Sequence, residues 1–372
     1  MNKAGIISLI SVFLGLLAGA ILMIITGHNP FIGFMYLIQG GTLTLERIGN
    51  TLATATPLIL TGLSVTFAFK TGLFNIGTPG QMLFGGFCAT AVGLTSGLPS
   101  ILLLPLMLLT GFLGGALFAF IPGLLKAVFN VHEVVSSIMM NWISFWIVYY
   151  TIQAYFKGNM ETESRLLADS ATLRAPWLSN LFGGSYINLG LFIAVLTVAV
   201  VAFILNKTTF GYELKSVGFN RHAAEYGGIS VNKNIILSMM ISGGLAGLAG
   251  VMQYAGNANN IQIGVMPSQG FDGIAVALLG GITPIGSLFS ALFFGLLYSG
   301  RGFMNAMTDV PPEIADTIIA TIIYFAATSI LVERLLDKFL KSRQTTQLSE
   351  ANTTEPLYPD SSEKNTEEKG DK

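Results

Sequence analysis

The chain has 372 residues and a formal net charge of −1; 52% of its residues are hydrophobic and only 10% charged. A soluble globular domain carries about 25% charged residues, so this composition excludes an ordinary water-soluble protein and points to the membrane. The single cysteine, Cys88, excludes an intrachain disulfide and a cysteine-based metal site.

In chain order, apolar runs predict spans at about 6–26, 51–69, 80–96, 100–120, 134–155, 188–206, 235–255, 270–283, 285–303 and 314–332. The first run, Ile6 to Thr26, exceeds the apolar region of a signal peptide and reads as a retained span. The eighth is too short to cross about 30 Å of hydrocarbon and reads as a half-helix ended by the Ile282–Gly286 break, which contains Pro284. Broken helices persist in a membrane only where protein or a water-filled cavity covers the freed backbone groups. The expected fold class is therefore an all-α polytopic membrane protein of about ten transmembrane helices.

Ten spans put both termini on one side. With the N-terminus inside, the inner segments hold Lys3, Lys70, Lys126, Lys207, Lys215, Arg221, Lys233, Arg334, Lys338, Lys341 and Arg343, and the outer ones Arg47, Lys157, Arg165, Arg174 and Arg301. That excess favours cytoplasmic N- and C-termini. The two predicted regions are a transmembrane domain, 1–341, and a polar tail, 342–372. The tail is rich in Thr, Ser, Glu and Lys and too poor in apolar residues to order itself, so disorder is expected.

Residues 207–234, KTTFGYELKSVGFNRHAAEYGGISVNKN, form a basic polar island between two spans. Their positive charge assigns them to the cytoplasm, and their length suffices for short helices that dock on a soluble partner. Small residues about four apart in Gly111–Phe120 and Ser242–Gly250 predict close helix packing, with a path-lining role as the sharper alternative.

Three further motifs interrupt the apolar pattern. GLFNIGTPGQMLFGG, Gly72–Gly86, places Asn75 and Gln81 beside helix breakers. NVHEVVSSIMMNW, Asn130–Trp142, places His132 and Glu133 at a span start and Asn141 about two turns in. SQGFDGIAVALLGGITPIGS, Ser268–Ser287, places Asp272 at the start of the short segment. Intramembrane polar residues face inward, which makes Asn75, Gln81, Asn141 and Asp272 candidates for a translocation path. The alternative for the three amides is hydrogen bonding across helices. For Asp272 it is a helix-terminal carboxylate that complements the dipole. GLFNIG and GFDGIA are alike and fall on opposite faces of the expected topology, which points to an inverted repeat. Arg301 is expected to snorkel towards the interface.

No GxxxxGK[ST] phosphate loop occurs, so this chain does not bind ATP in the P-loop manner. The scarcity of intramembrane acidic residues disfavours an ion-coupled carrier, which stays as the rival class.

GLFNIGTPGQ, EVVSSIMMNW, GFNRHAAEYGGISVNKN followed by SGGLAGLAG, and GFDGIAVALLGG, taken in order over about residues 50–330, resemble the permease subunits of bacterial ABC importers of the ribose/branched-chain amino acid superfamily. The FNIGxxGQ form is most similar to nucleoside importer permeases, although Pro79 stands where an acidic residue is expected. The resemblance implies a type II-like permease fold and a multi-pass protein of the bacterial plasma membrane. It implies three partners: a second, different permease subunit, cytoplasmic ATPases that bind ATP–Mg, and an extracellular binding protein, usually a lipoprotein in Gram-positive bacteria. It assigns no cofactor to this chain and no nucleic-acid partner. It places the ATPase-coupling element at Glu213–Ile229, with Gly218, Asn220, Ala223, Ala224 and Gly227 matching the family pattern. The rival substrates are ribose-like sugars and branched-chain amino acids.

Overall fold

The computed structural model describes residues 3–327. The predicted tail at 342–372, and the end of the last predicted span, lie outside the described residues. Fourteen helices are described: α1 (Lys3–Ile25), α2 (Pro30–Thr42), α3 (Leu45–Phe69), α4 (Thr78–Thr95), α5 (Ser100–Phe129), α6 (Glu133–Thr151), α7 (Pro176–Leu181), α8 (Gly190–Lys207), α9 (Thr209–Phe219), α10 (Arg221–Tyr226), α11 (Val231–Val251), α12 (Gln269–Leu279), α13 (Pro284–Thr308) and α14 (Pro312–Ala327). Among the described residues, five helical stretches are long and apolar enough to cross a membrane: Leu45–Phe69, Ser100–Phe129, Glu133–Phe156, Gly190–Lys207 and Val231–Asn257. The protein is an all-α, multi-pass membrane protein.

Two elements depart from the expected spans. Residues 30–42, expected as part of a connection, form α2: Pro30 opens the helix, and the Asn29 side chain accepts hydrogen bonds from the Phe31 and Ile32 amides. At 13 residues α2 is too short to cross, so span-length reasoning passes over it. It packs through glycines: a methyl group on Gly40 would lie 2.7 Å from Gly300 Cα, and one on Gly33 would lie 2.6 Å from Met23 Sδ. The predicted 270–283 segment is helical only to Leu279, after which Gly281 and Ile282 take positive φ before α13 restarts at Pro284.

Six helices form two matching sets. α3 packs on α13 as α11 packs on α5, and α12 packs on α3 as α4 packs on α11. α3 ends at Phe69 beside the loop helix α9, and α11 begins beside that loop, so the two run in opposite directions. Their crossing is closed by Ser64 and Ser242: the Ser242 hydroxyl donates to the Ser64 carbonyl at 2.7 Å, and the two hydroxyl oxygens lie 3.0 Å apart. The arrangement is an inverted repeat, with α3, α4 and α5 in one half and α11, α12 and α13 in the other.

Glycine makes these crossings close. Methyl groups on Gly115 and Gly247 would come within 2.1 Å of the carbonyl oxygens of Gly243 and Gly111 respectively, so α5 and α11 meet backbone to backbone. Apolar burial supplies no drive between helices in lipid, and such contact is the packing force that remains. The small-residue faces read from the sequence therefore serve helix packing.

Candidate functional site

The N-terminal ends of α4 and the short helix α12 meet. A methyl group on Gly270, in the first turn of α12, would fall 2.4 Å from Cα of Pro79, in the first turn of α4. The contact lies midway along the bundle, level with Asn141 of α6 and Ser242 of α11. The two sequence-similar breaks are thus brought together, one from each half.

At the α4 break every amide candidate is engaged. The Asn75 Nδ2 donates to Gln81 Oε1 and Ser242 Oγ, both at 2.8 Å, and its Oδ1 accepts from the Gly77 amide and from Gln81 Nε2. Asn141 Oδ1 accepts from the Gly80 amide at 3.0 Å, its Nδ2 donates to the Ile76 carbonyl at 3.0 Å, and Ser144 Oγ donates to the Gly80 carbonyl at 2.7 Å. Asn75, Gln81 and Asn141 are all buried. Asn75 and Asn141 supply backbone partners that an interrupted helix loses, and Gln81 braces the Asn75 amide, as a break away from water requires. None of the three lines a cavity described below.

At the α12 break the surroundings differ. Asp272 lines a cavity of about 550 Å³ with Arg47, Asn50, Thr54 and Leu58 of α3, Tyr186, Gln269, and Tyr298, Ser299, Arg301 and Asn305 of α13. The cavity opens at the end of the bundle that carries residues 157–189, since Tyr186 forms its rim: the Tyr186 amide donates to Asn50 Oδ1 at 3.2 Å and its hydroxyl lies 2.9 Å from Thr54 Oγ1. The Tyr298 hydroxyl adjoins the Asp272 carboxylate. Arg301 does not simply snorkel. It pairs with Asp316 at 2.7 Å and its guanidinium lies 5.4 Å from the Tyr298 ring centre. Arg47 lies 4.0 Å from the Phe303 ring centre and donates to the Gly40 carbonyl. Of the cavity residues, only Asp272 was a path candidate in the sequence, and Arg301 was read there as a snorkelling side chain. A signal was there: Arg47, Asn50 and Thr54, and likewise Tyr298, Arg301 and Asn305, recur at spacings of three and four along otherwise apolar helices, which is one helical face.

The basic loop folds as a two-helix cap on the opposite end. Thr208 caps α9 by accepting from the Gly211 amide, and Asn220 both ends α9 and caps α10 by accepting from the Ala223 amide at 3.1 Å. Asn234 Nδ2 donates to Glu213 Oε2 at 2.9 Å, tying α9 to the start of α11. A methyl group on Gly218 would stand 2.3 Å from the Lys70 carbonyl oxygen, so α9 touches the backbone that ends α3. Ala224 is buried in an apolar patch with Ala68, Leu73, Val217, Ile235 and Met239. Gly227 ends α10, and Gly228 turns the chain at φ +79°.

The two alanines, read together as a seating pair, divide. Both border a hollow of about 820 Å³ between α9 and α10, but Ala224 is buried against the body whereas Ala223 is exposed. Phe219 and Tyr226 flank that hollow's helices, each 94% exposed. Two large aromatic side chains are thus left exposed on one cap. Beneath the cap, burial and then the neighbouring Lys215 charge hold the Lys70 ammonium pKa below its ordinary value. Lys126 pairs with Glu133 at 2.9 Å at the same end.

Two helix N-termini from opposite halves meet within the bundle, one beside a polar cavity, and a two-helix cap with exposed aromatic side chains closes one end. A family model described as branched-chain amino acid transport system, permease component, matches residues 47–327. The chain belongs to this family of ABC transporter permeases. It is 42% identical to the guanosine ABC transporter permease protein NupP of Bacillus subtilis, over 90% of this chain and 97% of the relative. It is 40% identical to the nucleoside ABC transporter permease protein NupB of Lactococcus lactis, over 90% and 93%. It is 32% identical to the glucose ABC transporter permease protein TsgB13 of Haloferax volcanii, over 87% of each. No solved structure matches the chain.

Proposed function

We propose that this chain is the membrane-spanning permease subunit of an ATP-driven importer for nucleosides. The observation that carries the reading is its similarity, over nine-tenths of its length, to two permease proteins named for guanosine and nucleoside transport. In this reading the end bearing 207–234 and both termini face the cytoplasm, as the positive charge of that loop requires, and the cavity at the α12 break faces outward.

Cytoplasmic ATPases dock on α9 and α10, bind ATP–Mg and supply the energy. Phe219, Tyr226 and Ala223 meet the ATPase; Ala224, Gly218 and Glu213 hold the cap to the body. Because Gly218 touches the α3 backbone and Asn234 ties α9 to α11, displacement of the cap moves the crossing helices of both halves together. The substrate arrives from an extracellular binding lipoprotein, enters the cavity and leaves when the α3–α11 crossing rearranges. A second, different permease subunit completes the path, as the resemblance to nucleoside systems implies.

The glucose relative favours a sugar as the second reading. The test is uptake of labelled uridine and adenosine in cells lacking this gene against a complemented strain, with ribose and leucine in parallel. Loss of nucleoside uptake alone is the expected result. Loss of ribose or leucine uptake instead replaces the substrate, and unchanged uptake of all four removes the reading.

A further inference from the structure

The α12 cavity carries a specific chemical demand. The Tyr298 hydroxyl hydrogen-bonds the Asp272 carboxylate, while its Oδ2 is fully buried and has no hydrogen-bond partner among the described residues. Among those residues Asp272 forms no ion pair, because Arg301 is engaged by Asp316 and Arg47 is drawn to Phe303 and the Gly40 carbonyl. A carboxylate oxygen withdrawn from water without a donor is costly, and such groups persist where a ligand completes them. The equivalent break in the other half pairs every amide of Asn75, Gln81 and Asn141 and leaves only the neutral Ser137 hydroxyl beside Gly77 without a partner among the described residues, so the unpaired charged group is particular to α12.

We infer that Asp272 receives the vicinal hydroxyls of the sugar as a nucleoside passes through this cavity. A carboxylate offers two oxygens that accept from two adjacent O–H groups, the arrangement by which acidic residues hold ribose in dinucleotide sites. The volume of about 550 Å³ lies within the range of small-molecule sites. Tyr298 adjoins the carboxylate, and Tyr186 offers an aromatic face at the rim for the base. Gln269 and Asn50 supply further amide donors and acceptors on opposite walls. The inference rests on the reading that the substrate is a nucleoside.

The test is uptake into proteoliposomes holding the complete complex, with one binding protein throughout, of uridine and of 2′,3′-dideoxyuridine. Because the binding protein is constant, a change in the ratio between the two substrates belongs to this chain. Asp272→Asn is expected to lower uridine uptake about tenfold, the loss of one charge-assisted hydrogen bond, and dideoxyuridine uptake less than twofold. An equal fall for both, or no change in the ratio, overturns the inference.

A second measurement does not depend on turnover. In a Cys88→Ser, Ser299→Cys complex, millimolar uridine is expected to slow thiol labelling at position 299 at least threefold, and dideoxyuridine to slow it less. Equal protection by both, or none by either, overturns the inference. Wild-type proteoliposomes that take up neither nucleoside but do take up ribose would remove the nucleoside reading itself, a failure distinct from the failure of Asp272 to discriminate.

Discussion

The two helix breaks share a fold and differ in what fills them. At the start of α4 two side-chain amides and one hydroxyl close on the interrupted backbone, a third amide braces them, and no polar atom of those amides is left over. At the start of α12 the corresponding place borders a cavity lined by Asp272, whose buried Oδ2 has no partner among the described residues. A broken membrane helix needs its backbone covered, and protein or a water-filled cavity meets that need. One half of the repeat is filled by side chains at its break, and the other encloses a cavity.

Four changes would break or sharpen this contrast. The largest effect is expected from Gly218→Val. A side chain there strikes the Lys70 carbonyl, pries the cap from α3 and abolishes uptake while the chain still inserts in the membrane. Normal uptake by an inserted Gly218→Val protein would remove the lever. Next comes Asn141→Ala, which strips partners from the Gly80 amide and the Ile76 carbonyl. It should lower the stability of the detergent-solubilised complex by about 1–3 kcal/mol, whereas Asp272→Asn should leave the melting temperature unchanged. If Asp272→Asn destabilises as much as Asn141→Ala, the two breaks do not differ as described.

Phe219→Ala should act by the partner alone. The side chain is 94% exposed, so the isolated chain should melt as before while ATPase co-purification falls several-fold. A large loss of stability with full ATPase capture would contradict an uncovered docking surface. The smallest effect is expected from Lys70→Gln. With its pKa depressed in the folded chain, the Lys70 charge costs stability at neutral pH; this cost fades as pH rises from the lowered folded pKa towards the ordinary lysine value. The wild type should therefore gain stability over that alkaline window relative to Lys70→Gln. Parallel pH profiles would show that the cap does not crowd this ammonium.

Much of this organisation was legible in the residues. The apolar runs gave the helices, the likeness of GLFNIG and GFDGIA pointed to the repeat, and the basic island marked the cap. What stayed hidden depended on distance in space. That Asn75 and Asn141 complete one network is unreadable from residues 66 positions apart, and α2 lacks the length that signals a span. Ala223 and Ala224 look equivalent in sequence; only the patch of Leu73, Ile235 and Met239 beneath one of them separates their roles. The cavity was half-visible: its polar faces on α3 and α13 follow helical spacing, but only packing brings the two faces opposite Asp272.

The most direct test of the central claim, that this chain is a driven path and not a self-sufficient carrier, is labelled uridine uptake into proteoliposomes holding the purified complex, with the binding protein outside and ATP supplied to the ATPase side. The account predicts uptake that requires ATP and the cap, is lost in Gly218→Val, and is indifferent to an ionophore. Uptake without ATP that collapses when an ion gradient is dissipated would contradict it.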